Sequence, residues 1–147
     1  MNISYTGFMA SGKSTLARAK ATELKVKFVS SDAEIEKALK LTINEIFAIY
    51  GEEYFRKAET DTLRKIYKGD NLIVDLGGGA PVYNYELIKS SSRVIFVDTD
   101  FEIIWNRLVE DTTRPLVKDK SKDDLYRLYL ERLPIYRKIA DEIIIFR

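Results

Sequence analysis

The chain has 147 residues, 46% of them hydrophobic and 32% charged, with a net charge of +1. That is enough chain for one domain with a real core, and the balance shows no bias toward polyanions or membrane surfaces. Cys and His are both absent, which excludes disulfides, thiol catalysis, Ser-His mechanisms and zinc held by either residue. Any general base must therefore be Asp, Glu, Lys or Tyr. The N-terminus has no signal-peptide pattern, and no stretch approaches the roughly 20 apolar residues that span a bilayer. The expectation is a cytoplasmic enzyme with a small-molecule substrate, without nucleic-acid or membrane partners, acting as a monomer or weak homo-oligomer.

In chain order, Ile3–Thr6 reads as a strand and Leu16–Leu24 as a helix. Between them Gly7-Phe8-Met9-Ala10-Ser11-Gly12-Lys13-Ser14-Thr15 has the spacing G-x-x-x-x-G-K-S of a phosphate-binding loop. The glycines let backbone N–H groups converge on a phosphate at a helix N-terminus. Lys13 would reach the β- and γ-phosphates and Ser14 would ligate Mg²⁺. Ala10, Ser11, Gly12 and Thr15 complete the expected ATP cradle.

Residues 27–30 predict a second strand. Ser31-Asp32-Ala33-Glu34 reads as a capping box opening a helix to about Leu39, and Thr42-Ile43-Asn44-Glu45 as another. A longer helix should run from about Glu52 to Tyr67. Leu72–Leu76 is apolar enough to be a strand buried on both faces, and it leads into Gly77-Gly78-Gly79. A short helix at 85–90, a strand at 94–97 and a helix bearing Phe101, Ile104, Trp105 and Leu108 follow. Residues 112–124 are polar and contain Pro115, the composition of an exposed mobile loop. Residues 125–140 read as a helix with a break or kink at Pro134, and 142–146 as a last strand.

This alternation predicts an α/β fold of three layers, a parallel sheet with helices on both faces. Ligands in such sheets sit beyond the carboxyl ends of the strands. The phosphate loop, Asp32 and the glycine tract all follow strands and can converge there. Asp32 could orient or deprotonate an acceptor hydroxyl, or merely help cap its helix. The glycine tract would let backbone approach a ligand. Arg56, Arg114 and Arg132 are candidate anion binders.

Taken together these residues resemble the shikimate kinases from Met1 to the end. The resemblance rests on Gly-Phe-Met-x-Ser-Gly-Lys-Ser at 7–14, Asp32 to Glu36, Ile46-Phe47 with Gly51-Glu52, and Phe55-Arg56 with Glu59. It continues through Gly77 to Ala80, Arg114-Pro115-Leu116, Arg132-x-Pro-x-Tyr136 and Ala140-Asp141. It implies ATP-dependent phosphorylation of the 3-hydroxyl of shikimate by a single domain, residues 1–147. The fold implied is nucleoside-monophosphate-kinase-like with five parallel strands. It implies that Asp32 meets the shikimate hydroxyls as candidate base and that Arg56 and Arg132 hold the carboxylate. Gly78 and Gly79 would line the shikimate pocket. Arg114 would reach the ATP phosphates from a mobile lid at about 112–124, making Lys13, Asp32 and Arg114 the expected catalytic set.

Three positions depart from the family pattern. Ala10 stands where the family usually has Gly. Ser30 replaces the first Asp of an Asp-x-Asp pair near Mg²⁺. After the last strand the family normally continues into an adenine-contacting loop and a C-terminal helix, whose counterpart is expected to be absent here, leaving apolar sheet surface uncovered. Leu72-Ile73-Val74-Asp75 has the pattern of a Walker-B strand, so Asp75 is expected to serve Mg²⁺ in place of Ser30, or else to hydrogen-bond within the phosphate loop. Two other readings stay open: a related kinase such as a gluconate kinase, and a non-catalytic nucleotide-binding domain of a larger assembly.

Overall fold

The computed structural model describes residues 1–111 and 121–147. Five strands are formed by β1 (Asn2–Thr6), β2 (Lys27–Ser30), β3 (Leu72–Asp75), β4 (Ser92–Thr99) and β5 (Glu142–Phe146). The helices are α1 (Lys13–Leu24), α2 (Ser31–Leu39), α3 (Ile43–Tyr50), α4 (Glu52–Ile66), α5 (Ala80–Tyr83), α6 (Tyr85–Ser91), α7 (Phe101–Glu110) and α8 (Lys122–Ile139). All strand pairings are parallel, in the order β2-β3-β1-β4-β5. No described helix is long and apolar enough to cross a membrane.

Burial on both faces explains the apolar runs Leu72–Val74 of β3 and Val94–Val97 of β4, while β1 buries the polar side chains of Asn2, Ser4 and Thr6 beside Ile3 and Tyr5. Along β4, Val94 and Phe96 face clusters built with α4, α6, α7 and α8, while Ile95 and Val97 pack with Ala17 and Ala21 of α1. On β3, Ile73 and Val74 divide between the same two faces. A satellite cluster of Ile35, Ile46 and Phe55 ties α2, α3 and α4 together. At the sheet edge, Ile143, Ile145 and Phe146 of β5 are exposed.

Several local features differ from the sequence-based expectation. Ser30, not Ser31, caps α2: its Oγ accepts from the Ala33 amide at 3.2 Å. Ser31 is fully buried one residue later, and its Oγ accepts from the Gly77 amide at 3.0 Å. The second capping box is as expected, Thr42 and Glu45 bonding each other's backbone amides. A short helix, α5, stands directly after the glycine tract, where the sequence reading had none.

The long C-terminal helix runs unbroken through Pro134. The carbonyl that loses its partner belongs to Leu130, an exposed residue, where water can serve it. Ser121 caps this helix, its Oγ accepting from the Asp124 amide, so residues 122–124 are helical and not part of a loop. The rest of the expected lid, including Arg114, lies outside the described residues.

The bond from Gly77 to Ser31 fixes the glycine tract against α2 in a buried setting. Ser31→Ala should lower stability by about 1–3 kcal/mol, the cost of a buried amide without an acceptor. Urea unfolding with an unchanged slope would measure it.

Candidate active site

β1 ends at Thr6, and the loop that follows is held from several sides. A Cβ at Gly7 would lie 2.9 Å from the Val97 carbonyl and 2.8 Å from Ser11 Oγ, so only glycine fits. Thr99 at the end of β4 donates to the Ser11 carbonyl at 2.6 Å. Arg107 of α7 donates to the Ala10 carbonyl at 2.9 Å. Ala10 itself is left-handed, φ 60°, a conformation that glycine adopts freely and that costs an alanine roughly 1–2 kcal/mol. Gly12, φ 95°, precedes the first turn of α1, whose opening amides have no acceptor within the helix. That end suits an anion.

Lys13 and Ser14 both turn to Asp75 at the end of β3. Lys13 Nζ donates to Oδ1 at 2.9 Å and Ser14 Oγ to Oδ2 at 2.5 Å. Side-chain exposures are 13% for Lys13 and 9% for Asp75, so the ion pair is nearly dry. The expected hydrogen bonding of Asp75 within the phosphate loop is therefore present. A hydroxyl and a carboxylate are also the oxygen donors that Mg²⁺ prefers. Ser30 pairs with Asp75 in the sheet register, but its hydroxyl is engaged as the α2 cap.

The glycine tract is explained by what each residue faces. A Cβ at Gly77 would meet Asp32 Oδ1 at 2.6 Å, one at Gly78 would meet Arg132 Nη1 at 3.1 Å, and one at Gly79 would meet Arg56 Nη2 at 2.6 Å. Three candidate side chains from α2, α8 and α4 thus lie against one stretch of bare backbone. Tyr136 anchors that stretch, its buried hydroxyl donating to the Gly78 carbonyl at 2.6 Å. Burial pushes the Tyr136 phenol up to about 12, so it stays a donor.

Arg56 is flanked by the Tyr83 ring, 4.2 Å from its guanidinium carbon, and ion-paired to Glu59 at 3.0 Å. Glu59 is 1% exposed, and its Oε2 has no hydrogen-bond partner among the described residues. Burial raises the Glu59 carboxyl above its ordinary range, against the opposing pull of Arg56. Asp32 is raised likewise, chiefly by burial, with Lys13 and Arg56 pulling it down and Asp75 and Glu36 pushing it up.

Two clefts open on this constellation. One, of about 1300 Å³, includes Asp32, Phe55, Arg56, Glu59, Gly79 and Arg132 in its lining. The other, of about 620 Å³, is lined by the phosphate loop from Met9 to Leu16 with Arg107 and Phe146. Met9, Asp32 and Gly78 belong to both.

The family model for shikimate kinase matches residues 9–145. A shikimate kinase of Caldicellulosiruptor saccharolyticus is 39% identical over 97% of this chain and 84% of its own length. The chain belongs to the shikimate kinase family. Another member, from Rhizobium meliloti, is 36% identical over 99% of this chain and 77% of its own. Among solved structures, the shikimate kinase of Acinetobacter baumannii, determined in complex with shikimate, superposes with a TM-score of 0.90 at 35% identity. That match covers 97% of this chain and 82% of the other. The enzyme from Aquifex aeolicus gives 0.82 at 35% identity, with 98% and 85% covered.

Of the residues singled out in the sequence, Ala10 to Thr15, Asp32, Arg56, Asp75, Gly78, Gly79 and Arg132 line or adjoin these two clefts. Arg114 lies outside the described residues. Sequence reasoning assigned no role to Glu59, Tyr136 or Arg107. The three-residue spacing of Arg56 and Glu59 on one helix could have flagged the first. Nothing in the sequence distinguishes Arg107 from any surface arginine.

Burial of Asp32 yields a signed stability effect. Its folded value lies above the ordinary 3.8, so as pH rises from there the unfolded chain releases the proton first, and native stability falls. Asp32→Asn should raise the melting temperature at pH 7, with the gain shrinking as pH falls toward 4. Thermal melts across that range check it, and a pH-independent difference would reject it.

Proposed function

We propose that the chain transfers the γ-phosphoryl group of ATP to the 3-hydroxyl of shikimate, giving shikimate 3-phosphate and ADP, within one domain over residues 1–147. The observation that carries this reading is the position of Asp32, a half-buried carboxylate at the meeting point of a phosphate-loop cleft and an arginine-bearing cleft. The family relationship and the shikimate-bound relative supply the substrate.

In this reading the helix-end amides of the phosphate loop and Lys13 hold the ATP phosphates. Arg56 and Arg132 take the shikimate carboxylate, and Gly78 and Gly79 provide the close wall. Asp32 orients the hydroxyl and accepts its proton while the oxygen forms its bond to the γ-phosphorus and the bond to ADP breaks. Ser14 and Asp75 would hold Mg²⁺, which when bound neutralises charge on the phosphate oxygens. Burial that raises Asp32 also brings its basicity closer to the working pH.

A coupled assay of ADP release with shikimate and with gluconate tests the reading. Release that depends on shikimate and not on gluconate is expected. Lys13→Met in the same assay should lose at least ~10²-fold in turnover, because the charge that meets the migrating group is gone. Retention of more than about a tenth of the wild-type rate contradicts the role of Lys13.

Arg56→Lys and Arg132→Lys keep the charge and lose the planar fork. With ATP saturating, each should raise the KM for shikimate by roughly tenfold or more, the scale of a charge-assisted bond, with a smaller change in kcat. An unchanged KM in both variants rejects the carboxylate clamp.

A further inference from the structure

Both side chains that the phosphate loop would turn on a nucleotide are already committed to one acid. Lys13 and Ser14 occupy the two separate oxygens of Asp75, at 2.9 and 2.5 Å. The pair is almost dry, with side-chain exposures of 13% and 9%. A charge in that setting interacts far more strongly than one in water. Breaking such a pair by removing one partner is costly, because the charge left behind stays buried.

We infer that Asp75 makes the phosphate loop selective for metal-bound nucleotide, by holding Lys13 until a divalent cation can take the ammonium's place. The inference rests on the nucleotide-binding part of the function proposed above. Metal-free ATP or ADP must draw Lys13 toward its phosphates. Asp75 then keeps one hydrogen bond, from Ser14, and faces the incoming phosphate anions with its charge uncompensated. Asp32 adds to the penalty, since its carboxylate feels both Lys13 and Asp75. A nucleotide that brings Mg²⁺ supplies a charge for Asp75, and the Ser14 hydroxyl can turn its lone pairs to the same cation. Lys13 is then released without leaving a bare carboxylate. Metal and nucleotide binding are thereby coupled through a protein group, in addition to their direct chelation.

The sheet explains why Asp75 can do this. β3 lies beside β1, and Asp75 is in register with Tyr5, two residues before the loop begins. Its position is set by strand pairing. The two residues that bond it open α1 and stand at the loop's exit. A rigid acid therefore faces a side chain long enough to choose between two partners.

Calorimetric titration with ADP, which cannot be turned over, reads the coupling directly. It is carried out with Mg²⁺ and with excess EDTA, on the wild type, Asp75→Asn and Asp75→Ser. Asparagine keeps one oxygen acceptor, for Lys13, and turns its NH2 to the Ser14 oxygen, without the charge. Serine provides a second, smaller neutral replacement should the amide disturb folding, which urea unfolding monitors. The expected result is that a folded neutral variant binds metal-free ADP roughly tenfold or more tightly than wild type, within the usual span of coupling between two ligands. The enhancement of ADP affinity by Mg²⁺ should shrink by at least the same factor. Metal-free ADP affinity that is unchanged or weaker in every folded variant, with Mg²⁺-ADP still bound by the wild type, overturns the inference and leaves the nucleotide-binding reading intact. Failure of the wild type to bind Mg²⁺-ADP overturns both.

Discussion

β1 pairs with β3 on one side and β4 on the other, and the contacts that Asp75 and Thr99 make to the phosphate loop depend on that placement. From β3 come Asp75 and the glycine tract. From β4 comes Thr99, whose hydroxyl ties down the Ser11 carbonyl. The loop between β1 and α1 is thus held from both neighbouring strands. The sheet order β2-β3-β1-β4-β5 also separates the helices. α1 covers one face, and α6 and α8 cover the other. A crevice opens between the two sets at the carboxyl ends of β1 and β3, where open α/β sheets take their ligands.

The charges in that crevice are arranged in opposed pairs and not in one field. Lys13 meets Asp75, Arg56 meets Glu59, and Asp32 stands between a lysine, an arginine and two further acids. Glu59 is the unusual member. It is fully buried on α4, three residues from Arg56, with one oxygen lacking a partner among the described residues. That pairing fixes the guanidinium's direction at the expense of part of its attraction for an outside anion. An arginine held in this way binds a carboxylate through its fork geometry more than through net charge.

Much of the site was legible because its residues are confined to one backbone solution. The phosphate loop is written in glycines whose positions have steric causes, as the Val97 carbonyl beside Gly7 shows. The tract at 77–79 was legible as close approach, although the sequence could not say that each glycine faces a different side chain. Alternation of strands and helices was readable from apolar runs, whereas the order of strands was not, since it depends on contacts between distant segments. The choice between Ser30 and Ser31 as cap turned on which hydroxyl was buried. Both residues satisfy the local rule, and only the amide of Gly77, 46 residues away, decides it. Pro134 does not break its helix for a similar reason: a helix tolerates the missing bond where the stranded carbonyl belongs to an exposed residue. Arg107 had no local signature because its partner is a main-chain carbonyl 97 residues earlier.

The central position of β1 also bears on how the chain is made. β1 leaves the ribosome before both of its partners and has no hydrogen-bonding neighbour until residues 72–99 have followed it. The bonds that complete the crevice join residues 61, 62 and 88 positions apart. Non-local contacts of this kind slow folding, since loop closure must precede their reward. During synthesis β1 is therefore a strand with two open edges, while α1 to α4 can form by local contacts. A nascent chain halted before β3 would carry a phosphate loop with neither Asp75 nor Thr99 to hold it.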